Sequence, residues 1–219
     1  MFGLFRKTSP AKIRLAQYKR FTLNREFVDA KNRKETIAEI LNLDEPELIT
    51  NILEKIIQLD DQDLFLESYF LDYIKKQKGI ADKLCSVCLI SSTTKMNFSS
   101  LKIMRKLPQV LESLGASSTG GIIANYQDEE FDSKVTVYAR NAKEAEILNP
   151  KSREIVLKSL YERNLSPMLR IGEHFMLFET ESSFEEPTDL IQLEKLMTDL
   201  LSLYACFSDF ETNHGDKDA

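Results

Sequence analysis

Three scarcities narrow this chain before anything present in it is weighed. No uninterrupted apolar run approaches the roughly 18 residues that cross a bilayer as a helix, so no transmembrane segment is expected. Histidine occurs only at His174 and His214, and cysteine only at Cys85, Cys88 and Cys206. With so few imidazoles no nucleophilic triad can be assembled from the sequence, and a zinc site lacks a second CxxC or an HxxxH. An odd cysteine count without an export signal fits free thiols in a reducing compartment. The start, MFGLFRKTSP, carries its positive charges after a short apolar patch, unlike a secretory signal, and its glycine is third rather than second, unlike a myristoylation site. These features predict a cytoplasmic protein, with peripheral attachment to a membrane as the one extension.

What is present is ordinary in bulk and uneven in distribution. The 219 residues are 42% hydrophobic and 29% charged, enough to bury a sizeable core. The net charge of −6 conceals a split. Residues 1–34 hold ten Lys/Arg against two acids, a net of +8, and the remainder holds 19 basic and 33 acidic residues, a net of −14. That asymmetry is the sharpest functional clue in the sequence.

Read in order, Ser9-Pro10 suits a helix start, and loosely helical apolar spacing follows to about Leu43. Asp44 and Glu47 have capping-box spacing, and Leu43 and Leu48 the places of a hydrophobic staple. Two i,i+4 rows, Leu48-Ile52-Ile56 and Ile49-Leu53-Ile57, then predict a helix. A second helix is expected over 62–77, stopped by Gly79. CSVCLISS and FSSLKIMRKL read as a hairpin or two neighbouring strands around 93–97. A short helix or turn is expected over 108–115.

The closing stretch has the best local signals. GIIANYQ and SKVTVYAR read as strands, the second alternating Val135, Val137 and Ala139 with polar residues. Asn141 with Glu144 gives a capping-box spacing, and Asn149-Pro150 starts a helix with Ile155, Val156, Leu160 and Leu157 inward. Gly172-Glu173 suits a tight hairpin turn with the glycine at positive φ. A final helix from Asp189 to Phe207 carries a seam of Leu190, Leu193, Met197, Leu200, Tyr204 and Phe207.

The segment from YQDEEFDSKVTVYAR through LRIGEHFMLFETES to the last helix, about residues 121–207, resembles an α+β domain of unknown function found in uncharacterised bacterial proteins. In that module a Phe-Asp pair, here Phe131-Asp132, opens a strand, a helix starts near a proline, and a hairpin precedes the final helix. The resemblance implies a fold and no activity. Its members often carry transmembrane segments, which this chain lacks.

Each candidate for chemistry has a plainer reading beside it. Cys85-Ser-Val-Cys88 has zinc or dithiol spacing, but residues three apart on a strand point to opposite faces. Buried structural thiols are the better reading. The loop Ser117-Ser-Thr-Gly-Gly121 offers backbone N–H groups to an anion, yet it leads into a strand and has no lysine nearby in sequence. The acids at Asp128, Glu129, Glu130 and Asp132 and at Glu179, Glu181, Glu185 and Glu186 lack the glycine and ligand alternation of a calcium loop. His174 has no identifiable nucleophile or orienting acid. No catalytic residue, metal ligand or cofactor is therefore assigned.

The expectation is an α+β chain: a helical N-terminal part over 1–78, a mixed, largely antiparallel sheet with helices packed on one face over 79–210, and a frayed polar tail over 211–219. The expected function is a non-enzymatic interaction or regulatory protein. Its basic N-terminal helix would contact a protein partner or an anionic membrane surface through Phe2, Leu4, Phe5, Arg6, Lys7, Lys12, Arg14, Lys19 and Arg20. Nucleic acid ranks lower, because the body is acidic and has no nucleic-acid motif. The alternative is a metal- or phosphate-dependent enzyme with its site near the 117–132 loop and carboxylates. Against both stands a solvated helix lying on its own acidic body.

Overall fold

Sequence periodicity places helices over 48–58 and 62–77, and the molecule has strands in both. A computed structural model describes residues 10–22, 27–58, 65–77, 81–92, 100–106, 108, 121–161, 167–184 and 186–214. Strand β2 runs Ile49–Gln58 and β3 runs Phe65–Lys75. Both are interior strands with apolar residues on each side, so their sequences lose the alternation of a half-buried strand and mimic a helix. Enrichment in Ile, Phe and Tyr was the true signal. Pro46–Leu48 forms one 3-10 turn with no side-chain cap, so the Asp44–Glu47 capping box is not used.

Two helices remain in the N-terminal part, α1 (Pro10–Thr22) and α2 (Lys34–Leu41), separated by the short edge strand β1 (Val28–Asp29). The other strands are β4 (Lys83–Ser91), β5 (Leu101–Arg105), β6 (Ile122–Ile123), β7 (Val135–Ala139), β8 (Met168–Gly172) and β9 (Phe175–Ser182). They form one nine-stranded sheet in the order β1-β2-β3-β4-β9-β8-β5-β7-β6. Every described pairing is antiparallel, so the expected mixed sheet is replaced by a uniform one. Strands from both sides of Lys78 share it. The anticipated β4–β5 hairpin does not form, because the β8–β9 hairpin lies between them. Expectations for 93–97 and 109–115 lie outside the described residues.

Helices α3 (Glu129–Lys134), α4 (Ala142–Ala145), α5 (Pro150–Tyr161) and α6 (Leu190–His214) follow among the described residues. Local signals in this half translate directly. The Asn141 side chain accepts from Glu144 N at 3.0 Å, and Glu144 reaches back to Arg140 N at 3.1 Å. Asn149 caps α5 by accepting from Ser152 N at 3.0 Å. All six seam residues of α6 are buried, and α6 continues to His214. The Phe131-Asp132 pair sits in α3, one turn before the strand it was expected to open. Gly172 is a strand residue outside the left-handed region. It serves by lacking a Cβ, which would come within 2.5 Å of the Phe175 ring across the turn.

The sheet has two covered faces, where helices on one face were expected. The larger core lies under α1, α3, α5 and α6 and takes Leu53, Phe70, Cys88, Ile103, Val137, Leu169 and Phe178 from the strands. The opposite face carries α2, whose Ile37, Ala38 and Leu41 pack on Ile52, Tyr69, Leu71 and Val87. Cys85 and Cys88 fall in different cores, as strand alternation requires. No described helix is long and apolar enough to cross a membrane.

Candidate functional site

Residue 14 lies on the inward side of α1, and its guanidinium enters the sheet. Arg14 Nε donates to Asp72 Oδ2 at 2.7 Å and Nη2 to Asp72 Oδ1 at 2.9 Å, a bidentate pair between residues 3% and 0% exposed. The remaining donors reach Gln17 Oε1 (3.1 Å), the Thr188 carbonyl (2.7 Å) and Ser86 Oγ (3.2 Å). All five guanidinium N–H groups therefore have acceptors. Ser86 Oγ donates to Asp72 Oδ1 at 2.6 Å, and the Tyr18 ring lies 5.0 Å from the guanidinium. Burial alone would pull the Arg14 pKa down, but the hydrogen bond and charge of Asp72 more than offset it and raise it. Burial drives Tyr18 well above its ordinary value.

Of the basic contact set, Arg14 is thus an internal anchor, while Lys19 and Arg20 are exposed. Lys12 lies within the described helix, though its side chain is outside the described set, as are Phe2, Leu4, Phe5, Arg6 and Lys7 altogether. Beside α1 is a groove of about 350 Å³ whose walls include Leu15, Lys19, Phe27, Lys31 and Ile52. Leu15 is 47% exposed.

The sequence candidates for chemistry resolve into structural duties. Asp128 accepts from Phe131 N at 3.1 Å as the α3 cap and pairs with Arg153 at 3.0 Å. The Phe131 amide and Arg153 hold its carboxyl below the usual range, against a smaller opposing effect of desolvation. Asp132 accepts from Tyr126 N and Asp128 N, both at 3.1 Å. These oxygens close a turn. His174 is exposed in the β8–β9 turn.

Cys85, Glu179 and Glu181 place one ligand atom each within 4.8 Å of one another on the α2 face. Lys75 and Lys83 already take Glu181, and Lys75 and Arg170 lie 3.8 and 3.7 Å from Glu179. Burial, then the charge of Glu179, pushes the Cys85 thiol up to about 11. A protonated thiol among carboxylates held by ammonium groups is a poor cation site. Cys88 and Cys206 are buried in the other core.

One cluster has no counterpart in the sequence reading. Register places Tyr138, Lys102 and Arg170 side by side across β7, β5 and β8. With Arg140, Gly121 and Phe175 they line a cavity of about 200 Å³. Gly121 ends the 117–121 loop, whose other residues lie outside the described set, and a Cβ there would lie 2.3 Å from the Ala139 carbonyl oxygen. Lys102 and Arg170 come from β5 and β8, and Arg140 directly follows β7. Their local sign was a basic residue within β5 and β8 and one just past the end of β7. Asp72 had a clearer one, a lone acid within the apolar run YFLDYI. Comparisons with protein-family models, curated proteins and solved structures find no match.

Proposed function

We propose that this chain is a non-enzymatic interaction or regulatory protein whose N-terminal helix contacts an acidic protein partner. The observation that carries the reading is the Arg14–Asp72 clamp, which sets the rotation of α1 on the sheet with Lys19 and Arg20 exposed. A positioned basic helix beside a rigid body supports recognition, because little conformational entropy remains to be lost on contact. The adjoining groove favours protein over membrane. It is concave, has apolar walls at Leu15 and Phe27, and is lined by Lys19 and by Lys31, the latter paired with Asp29 at 2.8 Å. That geometry suits an apolar side chain flanked by carboxylates better than a flat lipid surface.

The test is charge reversal in the full chain, Lys19→Glu with Arg20→Glu, which leaves the clamp intact. A synthetic Glu/Leu peptide is expected to bind the parent in a salt-dependent manner and to lose about tenfold or more in affinity to the variant. Sedimentation with anionic vesicles at parity with the peptide would move the reading to the membrane. Equal peptide binding by parent and variant would overturn the role of α1.

The second reading, a metal- or phosphate-dependent enzyme near 117–132, draws support from one observation, the placement of Gly121 beside three cations. Asp128 and Asp132 give it none, since their oxygens are committed to capping.

A further inference from the structure

We propose that the cavity lined by Lys102, Arg140, Arg170 and Gly121 binds a phosphomonoester dianion, independently of what α1 contacts. The first ground is charge placed against itself. Lys102 and Arg170 are directly opposed on β5 and β8, and like charges in that relation destabilise a sheet. Arg140 lies on β7's side of the same cavity. Counter-charge is sparse: Glu144 lies 3.9 Å from Arg140, and Glu179 lies 3.7 Å from Arg170 while also facing Lys75. Among the described residues no carboxylate pairs with Lys102.

The second ground is unspent hydrogen bonding. Arg170 Nε and Nη2 are buried and have no hydrogen-bond acceptor within reach among the described residues, Nη2 having only its ion pair with Glu179 at 3.7 Å. Leaving buried charged donors unsatisfied is expensive, whereas Arg14 on the other face has every donor filled. The same residue type is treated in opposite ways within one molecule, and only the second arrangement calls for an outside acceptor. A tetrahedral oxyanion supplies several at once, in the fork geometry that a guanidinium matches.

The third ground is shape. The three cations are graded in depth, with the Arg140 side chain 64% exposed and that of Arg170 23% exposed. Gly121 packs its backbone against β7, where a Cβ would lie 2.3 Å from the Ala139 carbonyl oxygen, and so leaves its part of the cavity wall without a side chain. Phe175 and Tyr138 add aromatic surface for the organic part of the ligand. Three cations exceed what a carboxylate monoanion needs, so a dianion is the better fit.

The experiment is calorimetric titration of the full chain with inorganic phosphate and with phenyl phosphate, beside acetate and sodium chloride at matched ionic strength. Both phosphates are expected to bind, phenyl phosphate more tightly, with acetate and chloride silent. Arg170→Met and Lys102→Gln should each weaken binding about tenfold or more. Arg170→Met also removes the partner of the buried Glu179, 3.7 Å away, so Lys102→Gln, which leaves that pair intact, is the variant that separates binding from folding. Thermal stabilisation by phosphate, absent in Lys102→Gln, would support the site without calorimetry. No heat with either phosphate, or binding unchanged in both variants, would overturn it. Phosphate released from phenyl phosphate would add turnover to binding and favour the enzyme reading.

Discussion

Replacing Arg14 by Met tests the central claim about how α1 is held. Asp72 lies in an interior strand at 0% exposure and cannot reach water, so loss of its partner leaves a buried carboxylate with only Ser86 and Asn51 as donors. Breaking a buried pair from one side costs about 3–5 kcal/mol, a large share of the roughly 5–15 kcal/mol that stabilises a domain. In urea this is a midpoint shift of about 1 M or more. Asp72→Leu should cost less, because Arg14 belongs to a surface helix that can undock and carry its charge into solvent. Arg14→Met with Asp72→Leu should recover most of the loss, since well-packed apolar replacements of buried pairs are often neutral. The assay is equilibrium urea unfolding of the parent, both single variants and the double, read as a double-mutant cycle. Amide exchange would report whether α1 is released first in Asp72→Leu. A loss below about 1 kcal/mol for Arg14→Met, with additive single effects, would refute the reasoning, for the pair would then behave as an exposed one.

Two further outcomes follow from the opposite sheet face. Desolvation opposes ionisation of Glu181, but hydrogen bonds from Lys75 and Lys83 outweigh it and hold its pKa below the ordinary 4.5. Its contribution is therefore present above that value and lost as pH falls through the lowered one. Glu181→Gln should flatten this part of the acid-unfolding profile, and an unchanged profile would exclude these ion pairs as its source. The Cys85 thiol, raised from 9.0 to about 11, stabilises the fold fully below 9.0 and loses that contribution as pH climbs through the folded value. With all three thiols buried, a thiol-specific reagent should label none rapidly in the native chain at neutral pH and all three in denaturant. Fast native labelling at Cys85 would contradict its burial.

The final hundred residues were legible because their signals are local. A cap needs only the side chain and the amide three residues on, so Asn141 and Asn149 act as their spacing says. The α6 seam is equally self-contained, since one helix face repeats every three to four residues whatever it packs on. Over 48–77 that same logic misled. Ile49, Leu53 and Ile57 satisfy a helical stripe, yet they lie in a strand with a core on each face, and only the neighbouring strands explain why both faces are apolar.

By itself, then, the sequence determined the helix caps, the α6 seam, the strand at 135–139, the opposed facing of Cys85 and Cys88, and the charge split between the first 34 residues and the rest. Each depends on neighbours within a few positions or on composition alone. Tertiary structure decided the uniform antiparallel sheet and the insertion of β8–β9 between β4 and β5. It also turned Arg14 from a surface cation into a buried anchor across 58 residues of chain. Lys102, Arg140 and Arg170 lie thirty or more residues apart in sequence, and only strand register sets them around one cavity. Charge is read from sequence as a sum, but its energy depends on distance and dielectric, and those exist only once the chain has folded.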